Sequence, residues 1–281
     1  MAARLLSAGQ EVRVFNRTRA NAEALAPLGA VVCETPAEAA SGAEAIFAMT
    51  ADDASSRAVW LGSDGVFSGR PRAGGLAIEC STLSHDWVLE LSTHACSQAM
   101  RYIDAPVTGL PDAAAAGRLT LLVGAEPSDL QAATPLLEPL CERILHFGGV
   151  GSGTAYKLMI NLVGAIQIAS AAEGMALAER AGLVLSEVAD AVALGQAASP
   201  QVVRNTARMA RSDHEQNVAF TPALRLKDVE YALQLARKLG AATPFGDVAT
   251  ELLRRLCSEA RGAANESVVF ELMRSLNRAG A

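Results

Sequence analysis

The sequence lacks the paired cysteines that would indicate a disulfide-rich or zinc-binding protein. Its five cysteines are odd in number and widely spaced, and none of them forms a C-x-x-C pair. Disulfide frameworks and structural zinc sites require cysteines in even or closely spaced sets. We therefore expect reduced thiols, no metal site and a cytoplasmic location.

Long uncharged apolar runs are also missing. A membrane-spanning helix needs a run of about 18 such residues. The richest candidate, residues 159–172, is interrupted by Asn161 and Gln167, so it predicts a buried helix and no membrane partner. The first 15 residues contain no apolar segment ahead of a small-residue cleavage site, so we expect no secretory signal.

An excess of positive charge is absent as well. The 281 residues carry a formal net charge of −6, which argues against a general nucleic-acid-binding protein. A local basic pocket for a small anion remains compatible with this composition. With 51% hydrophobic residues, the chain is long enough for one large or two ordinary domains with buried cores.

The two halves of the chain differ in hydrophobic periodicity. In the first half, short apolar runs alternate with Ala-rich helical segments, which predicts a mostly parallel sheet covered by helices on both faces. The runs occupy residues 11–15, 30–34, 44–49, 75–81, 100–107, 118–124 and 143–148, and the helical segments include residues 19–28 and 128–140. From Thr154 onward the pattern is helical, and Gly182 is placed to end a long helix over residues 154–181. We therefore predict an α/β domain over residues 1–150 and an all-α domain over residues 151–281.

One helix start can be predicted in detail. Thr35 is a good N-cap residue, Pro36 fits the first helical position, and Glu38 completes the pattern of a capping box.

Five segments of the chain carry a family resemblance. They are VFNRT (14–18), ECSTLS (79–84), DAPVTG (104–109), GVGSGTAYKLMIN (149–161) and FTPALRLKD (220–228). In this order they resemble the β-hydroxyacid dehydrogenases, which include 3-hydroxyisobutyrate dehydrogenase, tartronate semialdehyde reductase and, more distantly, 6-phosphogluconate dehydrogenase. The resemblance covers nearly the whole chain. It implies a Rossmann-like NAD(P)-binding domain followed by a helical domain, and hydride transfer between the cofactor and a small β-hydroxyacid or its semialdehyde. Together with the apolar helical half, it predicts a homo-oligomer, a dimer or a tetramer.

The strongest chemical signal is Lys157 with Asn161. Their spacing of four places both side chains on one face of the long helix. A lysine that is partly desolvated in a cleft can exchange a proton with a substrate hydroxyl near neutral pH. Asn161 can orient that hydroxyl. We therefore predict Lys157 and Asn161 as the catalytic residues, in a cleft between the two domains.

The resemblance also implies a binding site for the substrate carboxylate. Thr108 and Gly109 stand where the family carries Ser-Gly-Gly, after a strand whose end would border a ligand site. Leu110 and Pro111 depart from that pattern, and Pro111 has no N–H to offer, so the identity of the substrate stays open. Lys227 adds positive charge for a carboxylate or a phosphate; the alternative is a surface lysine paired with an acid.

A further set of residues is predicted to bind the cofactor. Asn16, Arg17 and Thr18 follow the first strand, where an NAD-binding protein would usually place an acid for the adenosine ribose. Because Arg17 can hold a 2′-phosphate instead, we expect NADP, with NAD as the alternative.

The remaining cofactor residues come from the same resemblance. Met49 and Thr50 correspond to a segment beside the cofactor ribose, although Thr50 departs from the usual Leu-Pro. Thr82, Phe220 and Lys227 correspond to positions near the nicotinamide.

The resemblance implies a first strand and a G-x-G-x-x-G loop ahead of the helix that contains Met1. Such glycines allow close approach to the pyrophosphate. We expect that residue 1 lies downstream of the natural start; the alternative is a true variant that binds dinucleotide poorly. In either case these 281 residues are expected to bind the cofactor weakly.

Two other functions remain open at this point. An imine reductase would share the fold, but such relatives commonly replace the catalytic lysine that Lys157 preserves. A non-catalytic binding protein is favoured by the absent glycine loop and disfavoured by the intact Lys157 and Asn161.

Overall fold

The computed structural model describes residues 1–279. Its strands are β1 (Arg13–Val14), β2 (Val31–Val32), β3 (Ala45–Ala48), β4 (Leu76–Glu79), β5 (Arg101–Asp104), β6 (Val107–Thr108), β7 (Leu119–Gly124) and β8 (Cys141–Gly148). The α-helices of the strand-containing half are α1 (Ala2–Ser7), α2 (Arg19–Glu23), α3 (Pro36–Ala40), α4 (Asp53–Leu61), α5 (His85–Ser97), α6 (Pro111–Ala116) and α7 (Pro127–Leu137). The rest are α8 (Ser152–Arg180), α9 (Leu185–Leu194), α10 (Pro200–Arg211), α11 (Pro222–Leu239), α12 (Pro244–Ser258) and α13 (Val269–Ala279). The structure thus confirms the predicted fold class, a largely parallel α/β sheet followed by helices.

The strands form two separate sheets. β1 and β2 pair in parallel, while the larger sheet has the order β3-β4-β5-β7-β6, with β8 also paired to β7. The pairs β3–β4, β4–β5 and β7–β8 are parallel, whereas β7 runs antiparallel to β5 and β6. A cavity of about 910 Å³ is lined by residues of β1, β3 and α1, together with Asn16 and Met49.

Several elements are shorter than the sequence predicts, and proline explains most of the differences. The run 100–107 becomes β5 and β6, separated at Pro106, which has no N–H for a ladder. The helical stretch 19–28 ends at Glu23 and continues as a 3₁₀ helix, Ala26–Leu28, that contains Pro27. The stretch 128–140 likewise ends as a 3₁₀ helix, Glu138–Leu140.

The predicted helix start at Thr35 is confirmed, with one difference. The Thr35 hydroxyl accepts the Glu38 N–H at 3.1 Å, and Pro36 is the first helical residue. In a capping box, Glu38 would accept the N–H of Thr35 itself. Here its carboxylate accepts the N–H of Glu34, one residue earlier, at 2.7 Å.

The predicted end of the long helix is also confirmed. Gly182 adopts a φ of +77° just after α8, a conformation that costs glycine least. The Gly182 N–H donates to the Glu179 carbonyl, and the Leu183 N–H donates to the Ala178 carbonyl. These two bonds form a Schellman motif, which satisfies carbonyl groups that the helix leaves unpaired.

The chain divides into two compact units, Met1–Lys157 and the part from Leu158 onward. In the first unit, alternate residues of the sheet point to two cores. Ala77 and Tyr102 pack with Trp60 and Trp87, whereas Ile78 and its neighbours form the other core.

In the second unit, the largest core gathers residues of α8 with residues of α10, α12 and α13, among them Met175, Met209, Leu256 and Phe270. Among the described residues, α8 is the one helix that is long and apolar enough to cross a membrane by those two criteria alone. A core helix of a water-soluble protein can meet the same criteria, so this finding is weak evidence.

Candidate active site

Predicted site residues follow three neighbouring strands. Ala48 of β3 is paired in register with Glu79 of β4, and Glu79 is paired with Asp104 of β5. The three parallel strands therefore end at the same edge of the sheet, where ligands of open α/β sheets bind. Met49–Thr50 comes directly after β3, and Ser81–Thr82 follows β4 after one intervening residue, Cys80.

The structure brings Thr50 and Ser81 together. The Ser81 hydroxyl accepts the Thr50 N–H at 2.6 Å, and the two hydroxyl oxygens lie 3.1 Å apart. The Ser81 hydroxyl in turn donates to the Glu79 carboxylate at 2.5 Å. Because Ser81 has a single proton, this leaves the Thr50 hydroxyl as the donor between them. The threonine that departs from the family pattern is thus fixed to the end of the next strand.

Glu79 anchors this arrangement and was missed by sequence reasoning. It is fully buried, and its second oxygen accepts the Trp60 indole N–H at 2.8 Å and the Ser56 hydroxyl at 2.9 Å. Burial raises the pKa of Glu79, while the bonds from Ser81, Trp60 and Ser56 act to lower it. The sequence offered one signal, an acid at the end of a run that is otherwise apolar.

The residues after β1 form an exposed turn. The Asn16 side chain accepts the Thr18 N–H at 2.9 Å, an Asx-turn that precedes α2. Arg17 between them is exposed. Its neighbours are engaged elsewhere, because Arg13 donates to the carbonyl of Glu38 at 3.2 Å and Arg19 pairs with Glu23 at 2.7 Å. In the described chain Arg17 has no such contact, so its guanidinium is available to a ligand.

Thr108 and Gly109 lie at the end of β6, where both are exposed. Gly109 has a φ of +131°, and a Cβ atom there would meet the Leu119 side chain at 2.8 Å. A residue other than glycine is therefore strained at this position. Leu110 caps α6, and Pro111 occupies its first position, where a helix N–H has no intrahelical partner in any case. Pro111 therefore differs from the family pattern because it starts α6, where proline is favoured.

The segment before Lys157 packs tightly against the sheet. A Cβ on Gly153 would lie 2.2 Å from the Leu122 carbonyl oxygen, so only glycine fits there. Further along, Tyr156 stacks on Phe147 with ring centroids 4.2 Å apart. Lys157 follows in the second turn of α8 and is half-buried. The backbone that carries Lys157 is thereby held close to β7 and β8.

In the second unit, Asp228 brings two predicted site residues together. The Asn161 amide nitrogen donates to one Asp228 oxygen at 2.6 Å, and the Lys227 ammonium lies 2.9 Å from the other. Asp228 is buried. In the sequence it stood out only as the last residue of the segment FTPALRLKD. Since a carboxylate only accepts hydrogen bonds, this contact turns the Asn161 amide nitrogen toward Asp228 and uses one of its two N–H groups. The second N–H and the side-chain oxygen of Asn161 remain for other hydrogen bonds.

Phe220, the other predicted residue of this unit, lies beside a buried ion pair. The Arg225 guanidinium stacks over the Phe220 ring at 4.5 Å and pairs with Glu266 at 2.8 Å. Arg225 also donates to the Asn161 backbone carbonyl at 3.3 Å. Phe220 is therefore tied to the helix turn that carries Asn161, through an arginine that the sequence analysis did not single out.

The side chains of the first unit fit a nicotinamide dinucleotide by their chemistry. The exposed Arg17 guanidinium can donate two parallel hydrogen bonds to the oxygens of a phosphate. Met49 leaves 53% of its surface exposed at a strand end, an apolar surface of the kind that nucleosides contact. Thr50 and Thr82 add half-buried hydroxyls suited to a ribose.

Comparison with protein-family models assigns both halves of the chain. Residues 1–149 match the NAD-binding domain of 6-phosphogluconate dehydrogenase. Residues 151–273 match the NAD-binding domain of NADP-dependent 3-hydroxyisobutyrate dehydrogenase. Together the two models cover nearly all of the chain.

Individual relatives agree with these models. An NAD-dependent L-serine dehydrogenase of Pseudomonas aeruginosa is 30% identical over 97% of this chain and 93% of its own length. The structure of Mycobacterium tuberculosis 3-hydroxyisobutyrate dehydrogenase with L-serine is 29% identical, with a TM-score of 0.86 over 97% of this chain and 94% of that one. An imine reductase of Streptomyces aurantiacus is 21% identical, with a TM-score of 0.62 over 97% and 94%, a likeness that shows the fold alone.

Proposed function

The chain belongs to the β-hydroxyacid dehydrogenase family, and on that premise we propose that it transfers hydride between NADP(H) and a small β-hydroxyacid or the matching semialdehyde. Membership makes it an NAD(P)-dependent hydroxyacid dehydrogenase. The choice of NADP and the identity of the substrate are the finer parts of the proposal.

The observation that carries the proposal is the pair Lys157 and Asn161, one turn apart on α8, with Asn161 oriented by Asp228. In the oxidative direction, the substrate hydroxyl gives its proton to the Lys157 amine as hydride leaves the carbinol carbon. In reduction, the Lys157 ammonium returns that proton to the forming alcohol. The second N–H of the Asn161 side-chain amide donates to the substrate oxygen, which leaves the single hydroxyl proton to face the amine. When bound, the nicotinamide accepts or supplies the hydride.

A carboxylate next to the carbinol group gives the other predicted residues a role. Thr108 offers a hydroxyl and Gly109 a main-chain N–H to the carboxylate, while Lys227 supplies positive charge. We propose L-serine and 3-hydroxyisobutyrate as the first substrates to test. Both are β-hydroxyacids, and the P. aeruginosa relative is named for L-serine.

NADP is proposed over NAD because of the exposed Arg17 and the lack of an acid in the turn 16–18. A carboxylate there would bind the ribose diol of NAD and repel the 2′-phosphate of NADP. Asn16 and Thr18 flank that arginine in the same turn. Met49, Thr50, Thr82 and Phe220 complete the proposed cofactor set.

The proposal is tested by replacing Lys157 with alanine. The sequence contains only three lysines, Lys157, Lys227 and Lys238, and Lys238 is exposed at the end of α11. We expect Lys157→Ala to lower kcat about 100- to 10 000-fold, the usual contribution of general acid–base catalysis. The measurement is NADP⁺ reduction with L-serine or 3-hydroxyisobutyrate, followed by NADPH absorbance.

Lys238→Ala serves as the matched control and is expected to keep the kcat of the unmodified chain. NADPH binding by Lys157→Ala, measured calorimetrically, is expected to equal that of the unmodified chain. If Lys157→Ala turns over both substrates as fast as Lys238→Ala does, the proposed role of Lys157 is wrong.

A further inference from the structure

A second buried carboxyl lies beside Glu79. Asp104 is the last residue of β5, is paired in register with Glu79 on β4, and is only 1% exposed. None of the roles proposed above uses it. A buried carboxyl requires hydrogen-bond donors around it to offset its desolvation, so its partners show what it does.

The partners of Asp104 all come from the start of α8. One carboxylate oxygen accepts the Thr154 N–H at 2.8 Å, and the other accepts the Thr154 hydroxyl at 2.6 Å. The Gly151 backbone N–H also acts to lower the pKa of Asp104. The first N–H groups of a helix have no intrahelical partner, and the helix dipole favours a negative charge beside them. Asp104 therefore caps α8 from a strand that lies 50 residues away in sequence.

The cap connects two parts of the proposed site. Thr108 follows Asp104 by four residues, and Lys157 follows Thr154 by three, within the next turn of α8. We propose that Asp104 is a positioning residue of this dehydrogenase: by holding the first turn of α8 against the end of β5, it fixes where Lys157 lies relative to the Thr108–Gly109 loop. The inference rests on the proposed role of Lys157.

The charge on Asp104 decides how tightly it can hold the helix. The ionised carboxylate accepts both Thr154 hydrogen bonds, and these bonds offset part of the cost of burying its charge. Burial raises the pKa of Asp104 to about 7, against the lowering effect of the Thr154 and Gly151 bonds. Because this pKa lies above that of an exposed aspartate, loss of the proton weakens the docking of the first turn of α8 as pH rises through neutrality.

Other titratable groups act on or lie near Asp104. Glu79 on β4 raises its pKa by charge repulsion. Cys80 and Tyr102 are buried nearby and feel the Asp104 charge in turn. His85, the first residue of α5, lies against Gly151, within 2.9 Å of the position a Cβ there would take. Because Glu79 and His85 are also titratable, the test isolates Asp104 by substitution.

The test compares Asp104→Asn with two variants at its partner. Asp104→Asn keeps the side-chain size but places an amide donor opposite the donors of Thr154 and Gly151. We expect a 10- to 100-fold loss of kcat with the KM for NADP⁺ changed less than twofold. Thr154→Val removes only the hydroxyl donor and should cause a smaller loss, while Thr154→Ser should restore the kcat of the unmodified chain.

Hydrogen exchange at the first turn of α8 gives a second readout that does not depend on turnover. Corrected for intrinsic rates, protection of residues 152–157 should decrease between pH 6 and pH 8 in the unmodified chain. The decrease should persist in Lys157→Ala and disappear in Asp104→Asn. A chain that shows this pattern but no turnover would contradict the proposed function and leave the helix cap supported.

A merely structural role for Asp104 makes a different prediction. Asp104→Asn would then lower the amount of folded protein while leaving the kcat of the folded fraction and the pH dependence of exchange unchanged. That outcome, or equal kcat in Asp104→Asn, Thr154→Val and the unmodified chain, would overturn the inference.

Discussion

At the scale of single residues, the cofactor preference depends on one side chain. Of the three arginines around the end of β1, Arg13 is bonded to main-chain carbonyls of residues 38 and 41, and Arg19 to Glu23 and Glu34. Arg17 is the one whose guanidinium is left for a ligand among the described residues. Because Arg17 follows the strand, it is placed to bind a phosphate on the adenosine ribose.

We therefore expect Arg17→Ser to lower the ratio of kcat/KM with NADPH to kcat/KM with NADH by about 10- to 100-fold. Each tenfold change corresponds to about 1.4 kcal/mol of binding free energy. The loss should lie in the KM for NADPH, because Arg17 is not proposed to act in the chemical step. Steady-state kinetics with both cofactors measures this ratio. Arg19→Ser is the matched control, since its partners are Glu23 and Glu34, and its ratio should stay within twofold. An unchanged ratio in Arg17→Ser would remove the argument for NADP.

Distance along the chain explains which residues of the site could be predicted from the sequence. Lys157 and Asn161 share one helix, so their spacing alone puts them on one face. Asp228, which orients Asn161, is 67 residues away from it. No local pattern distinguishes Asp228 from an acid paired with the neighbouring Lys227 on the helix surface.

At the scale of elements, the small β1–β2 sheet differs from the large one in how it is supported. Each of its strands has two residues and pairs on one side only. β4, by contrast, is buried along its whole length between β3 and β5. Short two-stranded sheets have little stability of their own, so β1 and β2 should open at lower free energy than β4.

We expect amide protons of the β1–β2 pair to exchange at least 10-fold faster than those of β4. The Val31 and Cys33 N–H groups, which donate to the Val12 and Val14 carbonyls, report on the first sheet. The Cys80 N–H, which donates to the Ala48 carbonyl at the end of β4, reports on the second. Hydrogen exchange with mass spectrometry of the corresponding peptides makes the comparison. Equal protection of the two sets would show that β1 and β2 belong to the same cooperative unit as the large sheet.

Element boundaries show the limit of periodicity. The Gly182 end of α8 and the Thr35 start of α3 could be predicted because capping chemistry is local. The divided strand at Pro106 could have been predicted from its missing N–H, whereas the two-residue length of β1 could not. The length of a strand depends on which strand pairs with it, and the residue pattern of one strand does not show which strand that will be.

At the scale of the whole molecule, the buried carboxyl Asp104 links stability to pH. Its pKa is about 7 in the folded chain and has a reference value of 3.8. Between these values the folded chain holds a proton at Asp104 that the unfolded chain has released, so rising pH favours unfolding through this residue. The stabilising contribution is complete below about pH 4 and is lost as pH rises through about 7.

We expect the free energy of unfolding of the unmodified chain, minus that of Asp104→Asn, to fall between pH 4 and pH 8 by up to about 4 kcal/mol, at about 1.4 kcal/mol per pKa unit. Urea titrations of both proteins across this range give the difference. The subtraction matters because His214, whose pKa burial lowers, acts in the opposite sense: its contribution is present above its reference value of 6.5 and is lost as pH falls below it. A difference that stays constant with pH would show that Asp104 is ionised throughout the range.

The sequence by itself determined the order of strands and helices, the change from a sheet-containing to a helical half, the family, and the Lys157–Asn161 pair. These follow from patterns within one element or from motifs in chain order, where the relevant residues are at most a few positions apart. Only the tertiary structure decided that Asp104 caps α8, that Glu79 holds Ser81 and Thr50, and that Asp228 orients Asn161. The physical reason is that the cost of burying a carboxyl depends on which donors the packed chain brings to it, and most of those donors come from elements tens of residues away.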